Sequence, residues 1–509
     1  MAIEGVWPVD GQTLTPKTVY QVAVDNLPVI LSSEVAHSMA ASRRMVERYL
    51  DEERIVYGIT TGFGRFSDVV IPDDLRQLLQ LNLLRSHAAG VGSPFDPSIA
   101  RAMVLLRANA LAKGYSGIRI EVVETLLAML NRGVTPIIPS QGSVGASGDL
   151  APLAHLALVL VGEGQAWFDG AQMSAVEALS RAGLAPLVLQ AKEGLALING
   201  TQAMGAMGAL AVYQAELLAD WADILGSLTT EVLRGIPMAF SEAVARVRPH
   251  PGIAVCAENL RRLTDGSRLT TLPGELRVQD AYSIRCMPQV HGASRDGLRH
   301  VAEVVTREIN SATDNPLLFE DLDLAISAGN FHGQPIALVL DYLAIILAEW
   351  ASISERRIER MVNPALSGLP AFLVAQGGIN SGLMLAQYTA ASLVSENKVL
   401  AHPSSVDSIP TSANQEDHVS MGTTAGRKAL QVLENLQTVL AIEAICGAQA
   451  ADLLGPHLLS PRGKQVYDFV RQRVLPWEHD RILAPDIAVM KESLGTAQAR
   501  ALVESLLDY

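Results

Sequence analysis

The chain is poor in cysteine and in aromatic side chains. Its 509 residues include 3 cysteines, and phenylalanine, tryptophan and tyrosine together make up 5%. Cys256, Cys286 and Cys446 are far apart in the sequence, which argues against a disulfide framework or a spaced zinc motif and favours a reducing compartment, the cytoplasm. With few aromatics and abundant alanine, leucine and valine, the composition favours packed helices over sandwiches of short strands.

Positive charge and long apolar segments are also scarce. The formal net charge is -14, and an acidic surface disfavours binding to nucleic acids and anionic membranes. The most apolar runs, residues 150–162 and 335–350, are short or interrupted by charge, and neither reaches the roughly 20 apolar residues of a membrane-spanning helix. The first residues have neither the basic segment nor the apolar stretch of a secretion signal. We therefore expect no nucleic-acid or membrane partner.

Hydrophobic spacing predicts helices along most of the chain. In the first half they are short and cover residues 32–52, 73–87, 101–112, 120–132 and 150–160. After residue 199 they lengthen and cover residues 202–228, 333–362, 377–400 and 416–454. Helices of this length are typical of bundles, within one chain or between chains. We predict a mainly α fold, in which residues 1–200 form a smaller N-terminal domain and residues 201–509 form a long-helix bundle.

The most informative segment is GSVGASGDLA at residues 142–151. Its tripeptide Ala146-Ser147-Gly148 can cyclise if the unhindered Gly148 nitrogen attacks the Ala146 carbonyl and water is lost. Loss of the Ser147 hydroxyl as a second water leaves an exocyclic methylidene, an electrophile that no ordinary side chain supplies. The glycines of the segment permit the tight backbone that this closure needs. Asp149 is a good N-cap for the next helix, so we expect the loop at a positive helix end.

Six further segments accompany this loop. They are YGITTGFG at 57–64, SHAAG at 86–90, NGTQ at 199–202, QDAYSIRC at 279–286, GNFH at 329–332 and NQEDH at 414–418. Together with the loop, and in this order, they resemble the aromatic amino acid ammonia-lyases and aminomutases. The resemblance extends from about residue 56 past residue 446. It implies the ammonia-lyase and fumarase-like helical fold, a homotetramer with shared active sites, and a prosthetic 4-methylidene-imidazol-5-one (MIO) formed from Ala146, Ser147 and Gly148, with no dissociable cofactor.

Elimination of ammonia from an α-amino acid needs an electron sink, a base for the β-proton and a cation for the carboxylate. Arg285 is the candidate cation, because an arginine fork matches a carboxylate. Its three-residue spacing from Tyr282 and Gln279 predicts one helical face. A structural ion pair is the alternative for an isolated arginine. The resemblance also assigns carboxylate binding to Arg285.

Tyr57 is the candidate acid or base, at the head of a glycine-rich segment that suggests a mobile lid. A phenol is normally too weak an acid for this role, so a nearby cation or helix terminus is needed. A core tyrosine is the alternative. The resemblance makes Tyr57 and Tyr282 catalytic.

His87 and Glu416 bear on the substrate. A buried imidazole ligand needs hydrogen-bond partners on both ring nitrogens, and a histidine with a carboxylate can provide them. The alternatives are a core histidine at a helix end and a glutamate in the first turn of a helix. Ser86-His87 resembles the histidine-acting members of the family. This implies L-histidine as substrate, trans-urocanate and ammonia as products, and a catalytic role for Glu416.

The resemblance completes the pocket with substrate-binding residues on several segments. They are His87, Asn199, Gln279, Arg285, Asn330 and Phe331. Of these, Asn199 resembles the residue that steadies the ring oxygen, and Phe331 the one that packs beside the prosthetic group. The sequence has no HExxH and no spaced Cys/His cluster, so we expect no metal in the mechanism.

Three other functions remain open. A tyrosine or phenylalanine ammonia-lyase, or a 2,3-aminomutase, would keep the ring and change the substrate or the outcome. A fumarase or argininosuccinate lyase type would use a Gly-Ser-Ser-rich loop followed by Met-Pro. The sequence does not contain this combination. A helical scaffold without activity would need neither the reactive loop nor the Gln279, Tyr282 and Arg285 face.

Overall fold

The computed structural model describes residues 5–508, most of which are helical. They divide into two compact units. The first comprises the described residues up to Tyr213, with Ala302–Asp341 and Pro403–Arg427, and the second comprises Gln214–Val301, Tyr342–His402 and the described residues from Lys428 onward. The predicted mainly α fold is confirmed. The domain boundary at residue 200 stays a prediction.

The first unit combines short helices with short strands. Its helices are α1 (Pro16–Ala23), α2 (Ala36–Asp51), α3 (Arg76–His87), α4 (Pro97–Ala112), α5 (Ile120–Asn131), α6 (Leu150–Leu160), α7 (Ala175–Arg181) and α8 (Glu193–Ile198). Its strands are β1 (Trp7–Val9), β2 (Val29–Leu31), β3 (Val91–Pro94), β4 (Thr135–Pro136), β5 (Pro139–Gln141), β6 (Gln165–Phe168), β7 (Ala171–Ser174), β8 (Leu317–Phe319) and β9 (Leu324–Ile326). β1 and β2 pair in parallel, whereas β3 with β5, β8 with β9, and the β4-β6-β7 sheet are antiparallel.

Four long helices contribute residues to both units. They are α9 (Gln202–Val232), α13 (Met287–Glu308), α14 (Gln334–Val362) and α17 (Gly422–Leu454). The other helices of the second unit are α10 (Glu242–Val247), α11 (Pro251–Thr264), α12 (Tyr282–Arg285), α15 (Pro364–Ser367), α16 (Met384–Leu400), α18 (Pro461–Arg471), α19 (Ala484–Leu494) and α20 (Ala497–Leu507). By length and composition α14 and α17 could cross a membrane, but 67% and 72% of their most apolar windows are buried inside the protein. Core helices of soluble proteins pass the same test.

Two predicted helices begin six or seven residues later than expected. The helix predicted from residue 377 begins at Met384, after a turn in which Gly378 and Gly382 have positive φ. The helix predicted from residue 416 begins at Gly422. Glu416 therefore does not lie in a first helical turn, and this prediction was wrong. Its main chain instead bonds back to Thr411, and Met421 donates to the carbonyl of Val144.

The core of the second unit contains a buried network of charges. The guanidinium of Arg357 binds both carboxylate oxygens of Glu443, at 2.6 and 2.9 Å. Asp223, Cys256 and His291 bring potential metal-binding atoms within 4.8 Å of one another. Arg295 donates to Asp223 at 2.6 Å, however, and Arg357 lies 3.2 Å from Nε2 of His291. Arg295 thus already neutralises Asp223, the carboxylate of the cluster, and a second cation lies against His291, so we interpret the cluster as structural.

Breaking the Arg357–Glu443 pair is expected to destabilise the fold strongly. Arg357→Met leaves the carboxylate of Glu443 buried without its cation, which costs about 3–5 kcal/mol. Urea unfolding at a fixed protein concentration measures the loss. In the double variant Arg357→Met/Glu443→Leu both charges are gone, so most of the stability should return. A single variant as stable as the unmodified protein would contradict this account.

Candidate active site

The reactive loop has the backbone that its glycines make possible. Gly145 and Gly148 have φ of 67° and 72°, in the region that favours glycine. A Cβ added to Gly148 would overlap the carbonyl of Gly200, and one on Gly145 would overlap the hydroxyl of Ser420. The loop therefore packs closely against two other segments, and left-handed backbone precedes and ends the Ala146-Ser147-Gly148 stretch.

Asp149 fastens the loop to two long helices. Its buried carboxylate accepts from the amides of Ala203 and Met204, at 2.9 and 3.0 Å, in the first turn of α9. It also accepts from the hydroxyl of Thr423 in the first turn of α17 and from Ser143. Burial raises the pKa of this carboxyl, against the lowering effect of these hydrogen bonds.

The loop lies at positive helix ends, as expected. α6 begins at Leu150, immediately after the loop, and the first turns of α9 and α17 bond to Asp149. Asp149 occupies the N-cap position of α6, but its side chain makes no capping bond to that helix. The expectation that its side chain caps α6 was therefore wrong, because the side chain bonds to the first turns of α9 and α17 instead. The converging helix ends favour negative charge at the loop.

Ser147 is held between two polar side chains. Its hydroxyl donates to Oε1 of Glu416 at 2.7 Å. Its carbonyl accepts from Nδ2 of Asn199 at 2.9 Å. The second oxygen of Glu416 accepts from the hydroxyl of Thr411 at 2.8 Å. The reactive tripeptide thus has a carboxylate at its hydroxyl and an amide donor at its main-chain oxygen.

A cavity of 570 Å³ opens above these residues and is lined by five of the predicted site residues. They are Tyr57, His87, Ser147, Asn199 and Glu416. The segment that follows Tyr57 forms an apolar wall with Phe63, Phe66 and other side chains. The phenol oxygen of Tyr57 accepts from the amide of Gly64 at 3.2 Å. This contact holds the Tyr57 side chain against the glycine-rich segment that follows it.

His87 is a neutral hydrogen-bond acceptor at the end of α3. Its Nδ1 lies 2.9 Å from the carbonyl of Leu83. Since a carbonyl only accepts, Nδ1 carries the proton and Nε2 is left as the acceptor. Burial lowers the pKa of His87, more than the Leu83 bond and the charge of Glu416 raise it.

The other predicted site residues lie elsewhere in the chain. Asn330 is exposed, and with its neighbour Gly329 it borders a separate recess in the first unit. In the second unit, α12 covers only Tyr282–Arg285, so Gln279 does not share a helical face with them. The guanidinium of Arg285 does lie over the Tyr282 ring, 4.6 Å from its centroid. Phe331 is partly exposed. The roles assigned to these five residues stay predictions.

Sequence reasoning did not assign a role to four polar or charged residues that line the cavity. They are Arg65, Asn82, Ser86 and Ser412. Asn82 precedes Ser86 by four residues on α3, so the helical period could have identified it. Ser412 lies in an irregular turn near Glu416, and no sequence pattern indicated it.

Comparisons with known proteins agree with this geometry. Residues 14–472 match the family model described as aromatic amino acid lyase. A histidine ammonia-lyase of Symbiobacterium thermophilum is 58% identical over 97% of this chain and 98% of its own length. The solved structure of histidine ammonia-lyase from Trypanosoma cruzi is 44% identical, with a TM-score of 0.92, and covers 99% of this chain and 95% of its own.

A second solved structure differs in its reported activity. Tyrosine aminomutase from Streptomyces globisporus is 39% identical, with a TM-score of 0.95 and 99% of both chains covered. The match thus spans the reactive loop, the cavity and both units in relatives of more than one activity. The chain belongs to the aromatic amino acid lyase family.

Proposed function

We propose that this protein is a histidine ammonia-lyase, a carbon-nitrogen lyase that converts L-histidine to trans-urocanate and ammonia. The single observation that carries the proposal is the cavity in which the Ser147 hydroxyl meets Glu416 at 2.7 Å. His87 on the same wall supplies a neutral acceptor for an imidazole N–H. Relatives named histidine ammonia-lyase at 53–58% identity support the same substrate.

The residues at 146–148 fit a methylidene-imidazolone. Gly148 has the left-handed backbone and the tight approach to Gly200 that no other residue tolerates. Asn199 already donates to the Ser147 carbonyl, and Glu416 accepts from the hydroxyl that ring formation removes. Once formed, the ring supplies the electron sink that departure of the amine requires.

The remaining chemistry falls to the chain's own side chains. The Cα–N bond of histidine breaks with its electron pair leaving on nitrogen, and the electrons of the Cβ–H bond form the new double bond. Tyr57 Oη takes the β-proton, and the Gly64 amide donates a hydrogen bond to this oxygen. His87 and Glu416 orient the imidazole. Helix ends at the loop stabilise negative charge that develops there.

We further propose a cytoplasmic homotetramer in which neighbouring copies complete each site. Gln279, Tyr282 and Asn330 are exposed in the single chain, and Tyr282 retains 71% of its accessible surface. Exposure of this kind suits residues that are supplied to another subunit. Arg285 then binds the substrate carboxylate as a fork, and Phe331 packs beside the ring.

The test is a direct comparison of substrates. Purified protein is given L-histidine, L-tyrosine and L-phenylalanine in parallel, and the unsaturated acids and any β-amino acids are identified by chromatography and mass. Urocanate and ammonia in equal amounts from histidine alone are the expected result. Turnover of tyrosine or phenylalanine in preference, or a β-amino acid product, would replace this proposal with the ammonia-lyase or aminomutase alternative.

His87→Leu is expected to weaken histidine turnover without affecting the ring. The substrate N–H would then be buried without an acceptor, which costs about 1–3 kcal/mol, or roughly 5- to 160-fold in kcat/KM. Intact mass should still show the loss of two waters. Gln77→Leu, the same replacement at an exposed position of α3 outside the cavity lining, is the matched control and should change kcat/KM far less. An unchanged kcat/KM in His87→Leu would remove His87 from substrate recognition.

The same residue predicts an acid limb in the pH profile. Because the pKa of His87 lies below its ordinary value, the acceptor Nε2 persists through neutrality and is lost only as the pH falls below that lowered pKa. In His87→Gln the side-chain amide does not titrate, so this part of the acid loss in kcat/KM should vanish. Titration of the substrate imidazole remains in both proteins and serves as the internal reference.

A further inference from the structure

A fully buried arginine of the first unit is bonded to the segment that supports the reactive loop. Arg107 on α4 has no accessible surface. Its Nη1 lies 3.1 Å from the Asn199 carbonyl, 2.7 Å from Oε1 of Gln202 and 3.3 Å from the Thr313 carbonyl. All three acceptors are neutral, and Arg107 does not belong to the set of residues lining the described cavity.

Through Asn199 and Gly200, these contacts reach the reactive tripeptide. The Asn199 side chain donates to the Ser147 carbonyl at 2.9 Å. The Gly200 carbonyl accepts from the amide of Asp149 at 2.7 Å, and Gly148 pairs with Gly200 in a parallel bridge. A Cβ on Gly200 would overlap both the Arg107 guanidinium and the Thr313 carbonyl. Residues 199 and 200 are thus clamped between Arg107 on one side and the loop on the other.

The charge of Arg107 is not cancelled locally. Asp314, the carboxylate that acts on it electrostatically, forms a buried ion pair with Lys192 at 2.7 Å. Burial lowers the pKa of Arg107 to about 10, so the guanidinium is still protonated at neutral pH. Burying a cation against neutral acceptors lowers the free energy of unfolding. Apolar side chains of similar volume often stabilise a fold equally well or better. What sets Arg107 apart is the position of its acceptors, because two of them belong to Asn199 and Gln202, next to the segment that supports the loop.

We propose that Arg107 is a positioning residue for ring formation. By fixing Asn199 and Gly200, it holds the Ser147 carbonyl and the Gly148 nitrogen in the geometry from which the ring closes. The inference rests on the proposed function, because it assumes that the Ala146-Ser147-Gly148 ring forms. It assigns Arg107 no contact with substrate.

The chain offers a matched control on the same helix. Arg101 is also buried and also donates to main-chain carbonyls, those of Val22, Ala23 and Leu130. Burial lowers its pKa as well. None of its three partners belongs to the reactive loop or to residues 199–200. Arg101→Met therefore reproduces the loss of a buried arginine without the loss of the clamp.

The experiment measures the intact mass of Arg107→Met, Arg107→Lys and Arg101→Met, together with kcat and KM for histidine. Misplacement of a reacting group by about 1 Å can cost ~10²-fold in rate. We expect Arg107→Met to be recovered largely without the loss of two waters and with kcat lowered in proportion, while KM of the modified fraction is unchanged. Arg107→Lys, which keeps the charge and a donor, should recover part of the modification. Arg101→Met should be fully modified.

The outcomes separate the two proposals. A folded Arg107→Met that is fully modified and has the kcat of the unmodified sequence overturns the role of Arg107. If Arg107→Met does not fold, Arg107→Lys tests the role of Arg107. Complete loss of two waters and an unchanged kcat in Arg107→Lys would overturn that role. Incomplete modification of Arg101→Met to the same extent would assign the effect to general destabilisation and also overturn it. Absence of the two-water loss from the unsubstituted protein would instead overturn the ring and the proposed function.

Discussion

Ser147→Ala is expected to abolish ring formation and to lower histidine turnover on the order of 10³-fold or more, because the electrophile is lost altogether. Alanine has no hydroxyl to leave as the second water. The substitution should be tolerated by the fold, since the Ser147 side chain is partly exposed and its hydroxyl bonds to Glu416 alone among the described hydrogen bonds. Intact mass and steady-state turnover measure the two effects on one sample.

Ser140→Ala is the matched control. Ser140 lies on β5, two residues before the loop, and is partly exposed like Ser147. Its substitution should leave both the mass change and the turnover intact. A Ser147→Ala protein with ordinary turnover would mean that the electron sink lies elsewhere in the chain. The same conclusion would follow if the unsubstituted protein turned over histidine at the ordinary rate while its mass showed no loss of two waters.

The sequence predicted the elements of the fold better than their ends. Periodicity identified α4, α5, α9 and α14 within a few residues of their observed bounds, because their buried stripes repeat every turn. It placed the starts of α16 and α17 too early. The residues before those helices have helical spacing, yet Gly382 and Met421 adopt positive φ. The amides of Leu383 and Met421 bond to the carbonyls of Phe372 and Val144, outside either helix.

The site shows the same division between local and long-range information. The site combines residues from distant parts of the sequence, namely His87, Ser147, Asn199 and Glu416. The hydrogen-bonded pair Ser147 and Glu416 is separated by 269 positions. A motif can name such residues, but only the folded chain shows that the Glu416 carboxylate bonds to the Ser147 hydroxyl. Asp149 is a further case. Local capping rules paired it with α6, whereas its buried carboxylate accepts from donors in the first turns of α9 and α17.

Arg107 could not have been found from the sequence at all. No motif contains it, and a lone arginine in an apolar helix predicts a surface residue or an ion pair. Its significance follows from the neutrality of its three acceptors and from their position next to residues 199 and 200. Both are properties of packing, which a single sequence does not record.

Glu416→Gln is expected to lower kcat for histidine by on the order of 10²–10⁴-fold, the range typical of a lost acid-base group. The glutamine keeps the shape of the side chain and one acceptor oxygen, so the bond from Thr411 or from Ser147 can persist. It cannot take up a proton or balance a cationic imidazole. Steady-state kinetics on histidine measure the loss, and intact mass reports separately whether the ring has formed.

These two measurements distinguish the two roles that the geometry allows Glu416. If the two-water loss is complete and kcat falls, the carboxylate acts on the substrate. If the mass change is missing, the carboxylate is needed when the Ser147 hydroxyl leaves, as its 2.7 Å bond to that hydroxyl would require. Asp417→Asn, at the next residue and exposed, removes the same charge from the same segment and should do neither. Equal losses in both variants would trace the effect to the net charge of the segment, and Glu416 would have no direct part in the chemistry.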